Sequence, residues 1–384
     1  MASVGARLRL LVDAYAGRVP EVAARLGGAG LGPKSTDDAI ARLPLLRKAE
    51  LALLQAAIPP WGGMLAEGCV PSAAFMSTGG VVEPLVPRMV ERLAELLREA
   101  GFGPGHTVLN GFGYHVTPAG LLFHEALVLA GCTVLPAGPQ NTATLVEYAL
   151  ALRATAFVGI ASHLKILFEQ QPALSIRLAM AGAEPHGEPV RAALAQQHGV
   201  RCVDMYGFAE AGIVAASCAE AGALHLHADV IAEVVDSESG DPVAEGSVGE
   251  FVVSIDNPGF PLLRFSTGDR VRIDRACCAC GRKGSLQLHG RVGISVRVKG
   301  MLLHASQIER FVAAVGASAC SIVVSRHDGR DAINVALRPG AAPLPEREVL
   351  EAAFRDACRL RADAIESDAS LAEGSVGIDD RREA

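Results

Sequence analysis

Apolar and polar positions change their period twice along the chain. Over the first sixty residues Leu, Val and Ala recur at helical spacing, broken at Gly27-Gly28 and Gly32-Pro33, which predicts short helices. Residues 86–100 form an amphipathic helix by the same criterion. From Thr107, short apolar runs alternate with helical stretches. Strands are expected at 107–110, 132–136, 156–160, 176–180 and 201–205, and helices at 118–130, 144–153, 163–170 and 189–198. That rhythm predicts a layered, mostly parallel α/β sheet. After Cys218 the period falls to two, with turns such as Ser239-Gly240-Asp241-Pro242, so antiparallel strands are expected at 230–236, 249–254 and 270–274. From about 295 the order is strand, strand, helix, strand, strand, helix, a small α+β unit. The expectation is an α/β chain with a large multi-sheet N-terminal domain (1–291) and a small α+β C-terminal domain (292–384).

Composition removes several function classes. With 384 residues the chain has ample material for a core and a ligand site. Half the residues are apolar and a fifth charged, so disorder and fibrous architectures are excluded. A net charge of −7 argues against nucleic acid or an anionic membrane as partner. The longest apolar stretch, 119–136, is interrupted by His124 and Glu125, and no membrane span is expected. Asp13 cuts short the N-terminal apolar run, so no export signal is read and a cytoplasmic protein is expected. There the nine cysteines would stay reduced, and the cluster Cys277-Cys278-Ala279-Cys280 points to metal rather than a disulfide. Five lysines are present, Lys34, Lys48, Lys165, Lys283 and Lys299, so lysine-dependent chemistry has few candidates.

Ligands of open parallel sheets sit beyond the carboxyl ends of the strands. Three segments there carry chemistry. Residues 75–84, with Ser77, Thr78 and Gly79, could offer backbone N–H groups to phosphate, or be a plain turn. Gly182-Ala183-Glu184-Pro185 could lie against a flat ring. In 204–210, Tyr206 could stack on a base and Glu210 hold Mg²⁺, or Glu210 could be an ordinary solvated carboxylate.

Taken together and in order, these segments resemble the adenylate-forming ligases, specifically the phenylacetate–CoA ligase group. Ile40 to Leu51 looks like the group's LxxLPxxxKxxL segment, and Leu135-Pro-Ala-Gly-Pro-Gln-Asn-Thr like its IPxGxxNT loop. Gly182-Ala-Glu-Pro is similar to its GAEP loop, and Asp204-Met-Tyr-Gly-Phe-Ala-Glu to its DxYGxxE motif. Leu263-Arg-Phe-Ser-Thr-Gly-Asp resembles IRYRTGD, and Gly290-Arg291 through Lys299-Gly300 and Gln307-Ile-Glu309 resembles GRxxDxxxxRG…QIE. The resemblance implies ATP-dependent conversion of a carboxylic acid to an acyl-adenylate, then transfer to coenzyme A, with a C-terminal domain that moves between steps.

Carried over residue by residue, Glu210 would hold Mg²⁺ and Lys299 would serve the thioester step. Ser77, Thr78, Gly79, Gly182, Ala183, Glu184, Pro185, Asp204, Met205, Tyr206, Gly207, Arg264, Asp269 and Arg291 would bind ATP or AMP. Phe112, Gly113, Tyr114 and His115 would line the pocket of an aryl or similarly flat acid. Cys278 and Cys280 resemble the group's CPCGR segment. With Cys218 and His225 they make a Cys₃His zinc set, Cys277 and His227 being alternates. The group often forms homodimers.

Three positions depart from the group. The phosphate loop, about SSGTTGKP in the group, here reads Ser77-Thr-Gly-Gly-Val-Val-Glu-Pro84, with Glu83 in place of lysine. Gly293 stands at the hinge aspartate, and Ser375 where a C-terminal catalytic lysine is expected. The alternative reading is therefore a homologue that binds nucleotide or acyl-CoA without adenylating, or an enzyme whose acceptor is an amine or a carrier protein.

Overall fold

The computed structural model describes residues 3–32, 34–77, 80–115, 117–182, 184, 188–220, 222–292, 295–327, 330–371 and 373–382. Thr78, Gly79, Ala183, Pro185 and Gly293 lie outside the described residues. The chain divides into two compact units, Met1–Gly290 and Arg291–Ala384.

The first unit opens with helices α1 (Val4–Tyr15), α2 (Pro20–Gly28), α3 (Asp37–Ile40) and α4 (Lys48–Ala57). A hairpin follows, β1 (Ala73–Met76) and β2 (Val82–Leu85), then α5 (Pro87–Glu99) and β3 (Thr107–Asn110). The α/β run continues as α6 (Ala119–Leu129), β4 (Thr133–Leu135), α7 (Thr142–Ala151), β5 (Ala156–Gly159), α8 (Ala161–Gln170), β6 (Leu178–Ala181), α9 (Glu188–His198) and β7 (Arg201–Phe208). Antiparallel strands complete the unit: β8 (Gly212–Ser217), β9 (Leu224–Leu226), β10 (Val230–Val235), β11 (Gly249–Ile255), β12 (Leu262–Cys277) and β13 (Lys283–Arg291).

One sheet joins both halves in the order β10-β11-β12-β13-β9-β8-β7-β6-β5-β3-β4. Strands β4, β3, β5, β6 and β7 are parallel, and β7 turns antiparallel into β8. The parallel strands are buried on both faces, which explains their continuous apolar runs. Val108, Val158 and Met180 join one core, while Leu109, Phe157 and Ala179 join the other, as alternation along a strand requires.

The second unit has a hairpin, β14 (Ser295–Val298) and β15 (Met301–His304), then α10 (Ala305–Val315), β16 (Ala317–His327), β17 (Arg330–Pro339), α11 (Arg347–Cys358), β18 (Ala364–Ser367) and β19 (Val376–Asp380). Its main sheet runs β18-β17-β16-β19. Phe311 on α10 and Phe354 on α11 meet edge to face at 5.2 Å in its core. Lys299 and Gly300 turn the first hairpin with φ of 51° and 79°, the positive pair that a tight two-residue hairpin needs.

Three segments differ from the sequence expectation. Residues 75–84, read as a loop, fall within the β1–β2 hairpin, with Phe75 opposite Glu83. Residues 206–208, beyond the strand expected at 201–205, extend β7 because Tyr206, Gly207 and Phe208 pair with Ala215, Ile213 and Gly212 of β8. Strands β18 and β19 were not expected; both are short and exist as parallel partners of β17 and β16. In each case pairing with a distant strand decides the outcome, which local periodicity does not report. No helix among the described residues is long and apolar enough to cross a membrane.

Candidate functional site

The carboxyl ends of β6 and β7 gather most of the expected nucleotide residues. Gly182 follows β6 with no space for a side chain: a Cβ there would lie 2.7 Å from Met205 Cγ. Glu184 reaches back to the preceding helix, where its Oε2 accepts the Ser162 N–H at 3.1 Å, near the start of α8. Asp204 is half-buried. Its Oδ1 accepts the Met205 N–H at 2.9 Å, and its Oδ2 pairs with Arg191 of α9 at 3.0 Å. Burial pushes its carboxyl above the usual carboxylate range, and Arg191 opposes the shift. Tyr206 is buried and donates its hydroxyl to Asp269 Oδ2 at 2.6 Å. Two motifs 63 residues apart thus meet in one hydrogen bond. Gly207 lets β7 approach Gly212 and Ile213 closely, where a Cβ would collide with backbone. Gly212 itself has φ 74° and begins β8.

Glu210 sits in the β7–β8 turn, 4 % exposed. That turn is held from beneath by Arg92, fully buried on α5, which donates to the carbonyls of Ala211 and Ile213 and pairs with Asp229 at 3.1 Å. Across from Glu210 stand two residues whose part no motif reading had supplied. Lys48, the first residue of α4, places Nζ 2.7 Å from Glu210 Oε1 and 3.9 Å from Glu83 Oε1. Glu83, on β2, is 1 % exposed. Backbone pairing fixes this corner. Leu46 donates to the Arg264 carbonyl and accepts from Ser266, both at 2.9 Å. Gln55, two turns along α4, clamps both the N–H and the carbonyl of Val82 at 2.7 Å. The legible signal for Lys48 was its place in the Leu43-Pro44…Lys48 segment, to which no role had been attached.

Burial, then the like charge of Glu210, pushes the Glu83 carboxyl up to about 8, against the pull of Lys48 and Ser77. An unfolded chain ionises this group near the ordinary value of about 4.3. Between those values the unfolded state releases a proton that the folded state keeps, so stability falls as pH rises through that window. In chelator, Glu83→Gln is expected to gain about 1–3 kcal/mol at the alkaline end of the window. The gain should vanish toward its acid end, as urea unfolding at several pH values would show.

Ser77 opens the β1–β2 connection. Its N–H donates to the Val81 carbonyl at 2.9 Å, and Gly80 returns an N–H to the Ser77 carbonyl at 3.0 Å with φ 75°. The expected acid pocket follows β3. Phe112 is buried against Phe123, ring centroids 5.0 Å apart. Gly113 offers its carbonyl to Gly120 N–H at 3.1 Å. Tyr114 accepts from Asn110 Nδ2 at 2.7 Å and sits 3.2 Å from His124 Nδ1, and burial pushes its phenol up to about 12. His115 is exposed. Phe112 and Tyr114 thus have fixed ring positions, whereas His115 has none imposed by burial.

Arg264 does not join the nucleotide group. It is 3 % exposed, with φ 46°, and its guanidinium is committed to Glu233 at 3.1 Å and to the carbonyls of Leu43 and Gly240 at 2.7 and 3.1 Å. Its geometry is that of a structural clamp between β12, β10 and the N-terminal segment. Arg264→Met would leave Glu233 charged and buried, and is expected to cost about 3–5 kcal/mol in chemical unfolding. Arg291 closes β13. Lys299 is tied within the second unit, with Nζ 3.0 Å from Asp363 and its N–H 3.1 Å from Asp331. The C-terminal arginines are also engaged. Arg381 pairs with Asp379 at 2.6 Å, and Arg382, 5 % exposed at its side chain, holds Asp331 and Asp380. The Ser375 carbonyl accepts the Cys320 N–H at 2.9 Å.

The four expected metal ligands converge. The ligand atoms of Cys218, His225, Cys278 and Cys280 all lie within 4.8 Å of one another. Cys218 Sγ is 3.6 Å from Cys278 Sγ, and Cys280 Sγ is 3.4 Å from His225 Nε2. Those are edge lengths of a tetrahedron with metal–sulfur bonds of about 2.3 Å and metal–nitrogen bonds of about 2.0 Å. His225 Nδ1 lies 2.8 Å from the Gly284 carbonyl, which fixes the tautomer that turns Nε2 inward. The Arg282 backbone N–H leads the effects that lower the Cys280 thiol to about 7, toward the thiolate a metal needs. Cys277 is exposed, and His227 is held between Glu95 and Asp229 at 2.7 Å, so neither alternate is in the set.

Residues 114–258 match the family model described as AMP-binding enzyme. The chain is 27 % identical over 333 residues to a phenylacetate–coenzyme A ligase of Thermus thermophilus, covering 80 % of this chain and 74 % of that protein. The chain is thus similar in sequence to ligases that form phenylacetyl-coenzyme A. A phenylacetate–coenzyme A ligase of Pseudomonas putida is 27 % identical over 232 residues, 57 % of this chain and 53 % of that one, so the match spans about half of that relative. The fold is that of the adenylate-forming enzymes. A 2-hydroxyisobutyryl-CoA ligase, solved with 2-HIB-AMP and CoA in the thioesterification state, aligns with TM-score 0.85 at 18 % identity over 98 % of this chain and 89 % of its own. The amide bond synthetase McbA of Marinactinospora thermotolerans aligns with TM-score 0.59 at 20 % identity over 78 % of this chain and 65 % of its own.

Proposed function

We propose that this protein activates a carboxylic acid with ATP and passes the acyl group to coenzyme A. The observation that carries the reading is the convergence at one sheet edge of the Tyr206–Asp269 hydrogen bond, the Gly182–Met205 close approach and the buried carboxylate of Glu210. In the first step a carboxylate oxygen attacks the α-phosphorus, the bond to pyrophosphate breaks, and acyl-AMP forms. In the second a thiolate attacks the acyl carbon and AMP leaves.

The chain's residues divide the work. Gly182 and the flat wall beside Met205 receive the adenine. Asp269, oriented by Tyr206, accepts from ribose hydroxyls. Glu210, in the turn that Arg92 holds, would be the carboxylate for Mg²⁺, and the ion would offset phosphate charge. Phe112 and Tyr114 favour an aryl or similarly flat acid. Lys299 belongs to the second step. Cys218, His225, Cys278 and Cys280 hold a structural Zn²⁺; four protein ligands leave no open position for water activation. Reduced cysteines of this kind suit a cytoplasmic protein.

A second reading has a specific observation behind it. No lysine follows Lys299, and Arg381 and Arg382 are both held in ion pairs. A protein of this design would bind nucleotide or acyl-CoA without forming an adenylate. Mass spectrometry separates the two after incubation with ATP, Mg²⁺, CoA and a panel of aryl and aliphatic acids. AMP together with an acyl-CoA supports the enzyme. Acyl-AMP that builds up with CoA present, and is consumed only by an amine or carrier protein, moves the acceptor. Neither product from protein that retains ATP supports the binder.

A further inference from the structure

Glu83 is a buried carboxyl whose oxygens the fold leaves unused. Its side chain faces inward from β2 at 1 % exposure, and neither carboxylate oxygen has a well-aligned hydrogen bond. Glu210 Oε1 likewise has none of good geometry. Among the described residues the cation within reach of both is Lys48, a single ammonium for two carboxyl groups. Removing two carboxylates from water is costly unless each is paired and its lone pairs are used. Here both oxygens of Glu83 remain available, and Oε1 lies 3.9 Å from the same ammonium that touches Glu210. Lys48 is 38 % exposed at its side chain, so it can leave without unpacking the core.

We propose that Glu83 is a second carboxylate ligand beside Glu210, the two forming a site for a hard divalent cation that fills without nucleotide, with Lys48 as the resident counter-ion the metal displaces. The inference rests on the reading of Glu210 as the cation's carboxylate. Oxygen donors of this kind suit Mg²⁺ or Mn²⁺, with water completing the coordination shell. Where the resembling loops carry a lysine for phosphate, this chain would carry a metal ligand.

The test is Mn²⁺ binding to zinc-replete, nucleotide-free protein, read from the paramagnetic resonance signal of free Mn²⁺. Wild type, Glu83→Gln, Lys48→Met and the Lys48→Met/Glu83→Gln double variant are compared, with circular dichroism as the check on folding. Lys48→Met is expected to bind Mn²⁺ roughly 10-fold more tightly than wild type, and Glu83→Gln to weaken binding by roughly 10-fold or more in both backgrounds, the scale of a lost metal-site partner. Equal Mn²⁺ affinity with and without Glu83 overturns the proposal, as does the absence of Mn²⁺ binding in folded Lys48→Met. Glu210→Gln separates the two layers. If it abolishes Mn²⁺ binding while Glu83→Gln does not, the Glu210 reading stands and the Glu83 role falls. No ATP enters the assay, so a protein that fails to adenylate is still judged by it.

Discussion

Glu210→Ala is expected to lower acid-dependent pyrophosphate release by about 10²–10³-fold, the loss seen when one fixed group that stabilises transition-state charge is removed. The size follows from position. Glu210 is 4 % exposed in a turn that buried Arg92 holds by two carbonyl hydrogen bonds, so its carboxylate is aimed before substrate arrives. The same substitution leaves Lys48 facing Glu83 alone, which improves local charge balance. Folding should therefore survive, and thermal unfolding of Glu210→Ala and Glu210→Gln beside wild type checks that it does. A variant with wild-type stability and wild-type pyrophosphate release would remove Glu210 from the chemistry.

Cys280→Ser is the second large effect. It should reduce bound zinc from about one ion per chain to a small fraction and cost more than about 4 kcal/mol, the range reached when a metal site is lost. The site joins the end of β8, the short strand β9 and the β12–β13 turn. Without the ion, three thiols and an imidazole crowd within 4.8 Å with only weak mutual hydrogen bonds. Metal analysis and urea unfolding with and without chelator read both effects. Cys277→Ser is the matched control, because Cys277 is exposed and outside the set.

Much of this molecule was legible in its sequence, for identifiable reasons. The parallel strands announced themselves because burial on both faces forces continuous apolar runs such as Ala156-Phe-Val-Gly. The Cys/His cluster was legible because Cys278-Ala-Cys280 and Cys218 with His225 resemble segments of the ligase group. The β1–β2 hairpin was not, since its strands are short and Glu83 and Pro84 interrupt any period-two pattern. Only the structure shows that Glu83 is buried, that Lys48 faces it, and that Arg264 is consumed by Glu233 and backbone carbonyls. Charge pairing between residues 35 to 162 positions apart leaves no local signature, because either partner alone reads as an ordinary surface residue. Tyr206 and Asp269 were each legible as motif members, but the 2.6 Å bond that joins them was not.

The central claim is that this chain forms acyl-adenylates. Its most direct test is ATP-dependent pyrophosphate release by zinc-replete protein over a panel of aryl and aliphatic acids, with and without CoA. The account predicts release that requires a particular acid, rises when CoA drains the adenylate, and falls with Glu210→Ala. Absence of release with every acid, from folded protein that binds ATP, would contradict it.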